Sequence, residues 1–253
     1  MASLTYFVPE YYAEDVLDKI QQYKFITKTT DFSIPKRTVE KKIIRDVELT
    51  YLGRRKELFV FHVLTTKVAI KSNRTVMNER LLKEDIFAFG ILVIGVEETG
   101  EIVKVYNLNE MQDRWHKKQL QLRKDYSGYE FDHFVNEISN VLKNEEKTLF
   151  FLNSHNMFGL YFCGWFNEKD VKVAKKRSAA ILEFDDVTVS EAIRTNKKET
   201  GFSIEGNTLD NEKEVIKKYE GELIYDKNNQ LLDGFLEIEN ESINIKHSLV
   251  WVG

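Results

Sequence analysis

Residues 46–70 read DVELTYLGRRKELFVFHVLTTKVAI, and this stretch decides the fold class. Val47, Leu49 and Tyr51 alternate with Asp46, Glu48 and Thr50, so the two sets fall on opposite faces of a strand. Gly53-Arg54-Arg55-Lys56 then turns the chain. Leu58 to Ile70 returns as a second strand, rich in β-branched and aromatic residues. A long antiparallel hairpin is the outcome. Similar signals recur outward from it. Phe89 to Val96 and Glu101 to Tyr106 flank Glu97-Glu98-Thr99-Gly100, which predicts another hairpin.

Toward the C-terminus, strands are expected over 180–189, 201–205, 219–226, 231–239 and 243–252, with Asp226-Lys227-Asn228-Asn229 as one of the turns between them. Upstream, Leu4 to Val8 reads as a short strand. Pro9 suits a helix start, and Ala13, Val16, Leu17 and Ile20 give a helical stripe over 10–22. A short helix capped by Asn78 is expected over 79–86. The middle of the chain carries a helical pair. One helix covers 110–124 behind an Asn109 cap, with Met111, Trp115 and Leu122 inward. The other covers 130–144 with a stripe of Phe131, Phe134, Val135, Ile138, Val141 and Leu142.

Strands joined by tight turns, with helices gathered rather than following each strand, predict an α+β fold. The expected architecture is one or more curved, predominantly antiparallel sheets with a central helical pair near 110–144 and an N-terminal helix. The chain reads as a single continuous body over 1–253. A subdivision into hairpins plus helices (1–148) and an antiparallel meander (149–253) is the alternative.

Composition narrows the class further. Among 253 residues there are one cysteine and two prolines, both prolines within the first 35 residues. With 42% apolar and 31% charged side chains, a disulfide scaffold, a Pro-rich fibre and a mainly disordered chain are excluded. The N-terminus lacks a basic segment followed by an apolar one, and no run of about eighteen uncharged apolar residues occurs. A cytoplasmic protein without a membrane span is expected. Twenty-seven lysines against ten arginines fit an AT-rich bacterial genome. The net charge of −4 hides an asymmetry: residues 199–253 hold twelve acidic residues and five lysines, while 36–56 hold eight basic residues and three acidic ones. Nucleic acid is not an expected partner at a pI near 5.9.

Chemistry-bearing constellations are sparse. Gly90, Gly95 and Gly100 lack the Lys-Ser/Thr and the following helix of a phosphate loop, so no cofactor is expected. His133 and Glu137 share a helix face and are the weak candidates for a metal, with no third ligand at a recognisable spacing. Cys163 sits among aromatics, which suits a core thiol rather than a nucleophile. The densest feature is aromatic. Leu149 to Leu152 and Phe158 to Phe166 read as strands around the polar turn Asn153-Ser154-His155-Asn156. Phe158, Tyr161 and Trp165, together with Arg54 and Arg55, are the expected partner-binding residues.

The favoured function is therefore non-catalytic: a protein-binding component or adaptor of a larger assembly, through another protein or self-association. The alternatives are an immunity-type inhibitor of a toxin, a metal-assisted hydrolase or nuclease using His133 and Glu137, and an apolar-ligand-binding protein with a curved, aromatic-lined sheet.

Overall fold

A computed structural model describes residues 20–34, 37–73, 81, 83–84, 88–163, 175–184, 187–195, 201–208, 216–227 and 230–253. The period-2 segments form strands β1 (Gln21–Asp31), β2 (Val39–Arg55), β3 (Leu58–Ser72), β4 (Ile91–Val96) and β5 (Ile102–Val105). After the helices come β6 (Lys175–Ile181), β7 (Val187–Thr195), β8 (Gly201–Thr208), β9 (Lys218–Tyr225), β10 (Leu231–Glu239) and β11 (Ile243–Trp251). All eleven belong to one sheet, in the order β5-β4-β3-β2-β1-β11-β10-β9-β8-β7-β6. Every neighbouring pair is antiparallel. The β1–β11 pairing joins the early and late parts of the chain into a single ladder.

Among the described residues the helices are α1 (Leu108–Leu122), α2 (Tyr129–Leu142), α3 (Glu145–Leu152) and α4 (Gly159–Cys163). These four lie between β5 and β6 in sequence; Leu81, Lys83, Glu84 and Ala88, between β3 and β4, are helical as well.

This arrangement corrects the expected one. The helical element is a set of four rather than a central pair, because the aromatic stretch after Leu149 is not a hairpin. Leu149 to Leu152 end α3, and Gly159 to Cys163 form α4. Asn144 caps α3 by accepting a hydrogen bond from the Lys147 N–H at 2.9 Å, a start signal that the apolar run after it obscures. α4 is buried on every side, so it has no polar face to mark a helical period.

At the other end, residues 1–19, including the predicted strand at 4–8 and most of the predicted helix, lie outside the described residues. Gln21 and Gln22, assigned to that helix, instead open β1, the strand joining the two halves of the sheet. Its burial alternates through Gln21, Tyr23, Phe25 and Thr27, a strand signal interrupted by lysines. The expected strand over 180–189 divides into β6, a 3-10 turn (Leu182–Phe184) and β7. Asn78 and most of 79–86 are also outside the described residues. α1 starts behind Asn107 rather than Asn109, with Met111, Trp115 and Leu122 buried as expected.

The sheet is curled. Ten inter-strand steps of about 4.8 Å would hold the edges of a flat sheet roughly 48 Å apart. Instead the Lys175 Nζ at the start of β6 donates to the Thr99 carbonyl just before β5 at 2.7 Å. The concavity is filled by α3, α4 and the turn between them. Phe158 packs edge-on against Phe25 of β1 with ring centres 5.7 Å apart, and Tyr161 against Tyr23 at 5.1 Å. Phe162 meets Phe61 of β3 at 5.2 Å. These three plug residues are at most 1% exposed. Gly100 is required where the plug passes the sheet edge: its φ is +81°, and a Cβ there would lie 2.2 Å from the Phe162 carbonyl oxygen. The opposite, convex face of the sheet carries charged residues paired across strands, such as Lys24 with Asp46 at 2.7 Å and Lys28 with Glu40 at 2.8 Å.

Polar groups also pin the plug. Arg45 of β2 is 4% exposed and donates to the carbonyls of Asn156 at 2.6 Å and Met157 at 3.0 Å. Glu191 of β7, fully buried, accepts from Arg177 and Tyr219 and lies 2.7 Å from His155 Nε2. Burial pushes the Glu191 carboxyl up, but Arg177 and His155 outweigh it and hold the group well below the ordinary carboxylate range. His247 of β11 touches this cluster, with its ring 6.0 Å from that of His155 and its Nδ1 3.2 Å from the Thr27 hydroxyl. Burial, then the positive fields of His155 and Arg45, press His247 down to about 3.

Phe158→Ala removes a fully buried ring and is expected to cost about 3–5 kcal/mol in urea denaturation, whereas exposed Tyr129→Ala stays within about 0.5 kcal/mol. Equal midpoints for the two would contradict the plug's role. Stability is also expected to fall with acidification in two stages. His247 stays neutral in the fold while the unfolded chain takes up a proton below its ordinary value of 6.5, so its contribution is lost from there down to about 3. The slope from this one group is at most about 1.4 kcal/mol per pH unit. Glu191, depressed in the fold, contributes fully above the ordinary carboxylate pKa and loses that contribution below it. Urea midpoints measured between pH 7 and pH 4 should flatten in His247→Asn; an unchanged slope would remove His247 from the account.

Candidate functional site

The curled sheet stops short of closing, and the gap between β5 and β6 is a cleft of about 460 Å³ floored by α3. Ile102 and Val103 of β5, Leu149 and Phe150 of α3, and Ala179 of β6 give it apolar walls. Phe150 is 48% exposed despite its size, because no described element covers it. Glu101, Glu146, Ser178 and Thr188 supply polar groups around these walls. The volume and the mixture of apolar walls with a few polar groups fall in the usual range of ligand sites, about 300–1,000 Å³.

The two edges that bound the cleft differ in chemistry. β5 is blunted by side chains from the helical layer. The Asn153 side chain accepts from the Ile102 N–H at 2.9 Å and donates to the Ile102 carbonyl at 2.8 Å, taking the place of a neighbouring strand. The Glu145 carboxylate accepts from the Val105 N–H at 2.8 Å and pairs with Lys104 at 2.9 Å. Burial raises the Glu145 carboxyl, but the hydrogen bonds from Lys104 and Val105 outweigh it and leave the group below its ordinary value. β6, by contrast, pairs with β7 on one side, and among the described residues no strand pairs with its other side. Its first residue bridges the end of the cleft through the Lys175–Thr99 bond. Desolvation, then the neighbouring Arg177, lowers the Lys175 ammonium from its ordinary value.

The residues singled out in the sequence take other places. Phe158 and Tyr161 are core, at 0% and 1% exposure, so they offer no surface to a partner; Trp165 lies outside the described residues. Arg54 lays its guanidinium 4.0 Å above Phe59 and bonds Glu98 at 3.1 Å, while Arg55 sits 5.0 Å from the Tyr106 ring. Both are occupied within the molecule. His133 and Glu137 do meet, at 3.3 Å on the exposed face of α2, but among the described residues no group of three His, Cys, Asp or Glu could hold a metal ion. Cys163 is wholly buried, donates to the Leu160 carbonyl at 3.1 Å, and has its thiol pushed up to about 12 by burial. The Glu191–His155–Arg177–Tyr219 cluster has acid–base groups in contact, yet its carboxylate is sealed from solvent and serves the packing of the plug.

The cleft residues carry no local motif in the sequence. Ile102, Leu149 and Ala179 come from distant parts of the chain and meet through the curl alone. No described helix is long and apolar enough to cross a membrane.

No protein-family model and no curated protein matches this sequence. Among solved structures, a lipovitellin described for its lipid–protein interactions aligns with 93% of this chain and 25% of its own, at 8% identity and a TM-score of 0.45. The chain thus spans about a quarter of that protein. A LolA superfamily protein from Nitrosomonas europaea aligns over 96% of this chain and 92% of its own, at 6% identity and a TM-score of 0.17. At these values neither likeness assigns a family or a role.

Proposed function

We propose that this protein is a binding protein, acting as one continuous body, whose site is the seam cleft and whose ligand buries an apolar group there. The observation that carries this reading is the half-exposed Phe150 in a cleft of about 460 Å³ between the two edges of the sheet. A ring of that size left in water at the floor of a concavity is surface that an apolar ligand group would cover. Covering the half of the ring still exposed is worth about 0.7–1.5 kcal/mol. The sheet's concave face, where the sequence placed an aromatic-lined ligand site, is already filled by Phe158, Tyr161 and Phe162. The ligand volume therefore moves from the centre of the curl to its opening. The protein-binding role expected from the sequence is compatible with the same opening, since the apolar group can belong to a partner's side chain.

The test is titration with N-phenyl-1-naphthylamine, a neutral apolar fluorophore. Saturable enhancement at one site is expected, weakened at least ten-fold by Phe150→Asp and by Ala179→Trp, which fills the cleft. Tyr129→Asp, on the surface of α2, should leave it unchanged. Wild-type affinity in both cleft variants would remove the cleft from the function.

A further inference from the structure

The edge of β6 determines what kind of molecule fits the cleft. Backbone N–H and C=O groups on an unpaired strand edge are a template for another extended chain. Among the described residues β6 has such an edge beside the cleft, whereas the facing edge of β5 is occupied by Asn153 and Glu145. Strand direction selects the polarity of the incoming chain. With each neighbouring pair antiparallel along an eleven-strand order, β5 and β6 run the same way across the seam. They cannot continue the antiparallel ladder with each other, but a single chain running opposite to both can lie between them. The cleft volume of about 460 Å³ matches roughly three residues of extended chain, taking a rise of ~3.4 Å and spacings of ~4.8 Å and ~10 Å.

Charge selects the end. A chain antiparallel to β6 brings its C-terminal end to Lys175 and Lys176. Lys176 is exposed, and Lys175, half-buried, is bonded to a carbonyl rather than to a carboxylate. Arg177, the next cation, is already paired with Glu191. Desolvation weakens the Lys175 ammonium, and an added anion would restore it.

We infer that the seam accepts an extended peptide segment of a partner protein, added antiparallel to β6, with apolar side chains directed at Phe150 and Ala179 and carboxylates at its C-terminal end facing Lys175 and Lys176. This rests on the seam being the binding site and names the ligand class.

Two fluorescein-labelled hexapeptides of alternating valine and threonine test it by anisotropy. One ends in Asp-Glu with a free carboxylate, the other in Lys-Lys amide. The acidic peptide is expected to bind at least ten-fold tighter and to displace N-phenyl-1-naphthylamine. Lys176→Glu should reverse the preference. Ser178→Pro and Ala179→Pro, made separately, should include one variant that abolishes peptide binding, since adjacent strand residues point their N–H groups to opposite edges. Failure of both peptides to bind while the fluorophore still binds would overturn the inference and leave the cleft reading standing. Loss of both kinds of binding in the wild type would overturn the two together. Peptide binding indifferent to Lys176→Glu and to both prolines would place the peptide elsewhere and also overturn it.

Discussion

The contact of Phe158, Tyr161 and Phe162 with the inner face of the sheet is the constraint on which the rest of the molecule depends. An antiparallel sheet twists whatever its surroundings, but twist alone does not bring a first and an eleventh strand within reach of one lysine side chain. The plug does so by giving β1, β3 and the late strands a common surface to wrap. Its backbone is held as firmly as its rings. Arg45 from one side donates to carbonyls of the segment between α3 and α4, and Arg177 from the other donates to the Gly159 carbonyl at the start of α4. The charge of Arg177 is balanced by Glu191, and Arg45 also stacks on Phe25 and Phe158. A buried guanidinium aimed at carbonyls fixes the direction of a chain segment more tightly than apolar packing alone.

The seam follows from the plug. Ten antiparallel steps leave β5 and β6 running the same way, so the antiparallel ladder cannot close on itself, and the helical layer emerges at the opening. That emergence explains the unequal edges. α3 runs beside β5 and can reach it with Asn153 and Glu145, while β6 lies across the cleft from the same helix. The result is a sheet with one edge protected and one edge available, which is a different object from a sheet open at both ends.

Much of this was legible in the residues, and the rest was hidden for physical reasons. The alternation of Val47, Leu49 and Tyr51, the glycine turn at Gly100 and the stripe of Phe131, Phe134 and Ile138 are local signals that the structure keeps. The stretch from Leu149 to Cys163 has no solvated face over most of its length, so its helices look like any other apolar run. β1 was masked by its lysines, which alternate toward solvent but resemble a helix's polar side. The seam itself had no signal, because Thr99 and Lys175 are joined only by the geometry of the whole sheet. Asn153, read as a turn former, serves instead as a surrogate strand; its residue type fits both roles, and only the tertiary structure separates them.

Cys163 gives the molecule a property unrelated to catalysis or binding. It is the chain's lone thiol, it lies at the end of the plug, and burial holds it protonated and out of contact with solvent. A thiol-specific reagent is therefore blind to the folded protein and reacts only when the plug leaves its seat. The rate of labelling under native conditions then reads the opening free energy of the plug separately from global unfolding. Without any introduced cysteine, the protein carries its own clock for how often its interior comes apart.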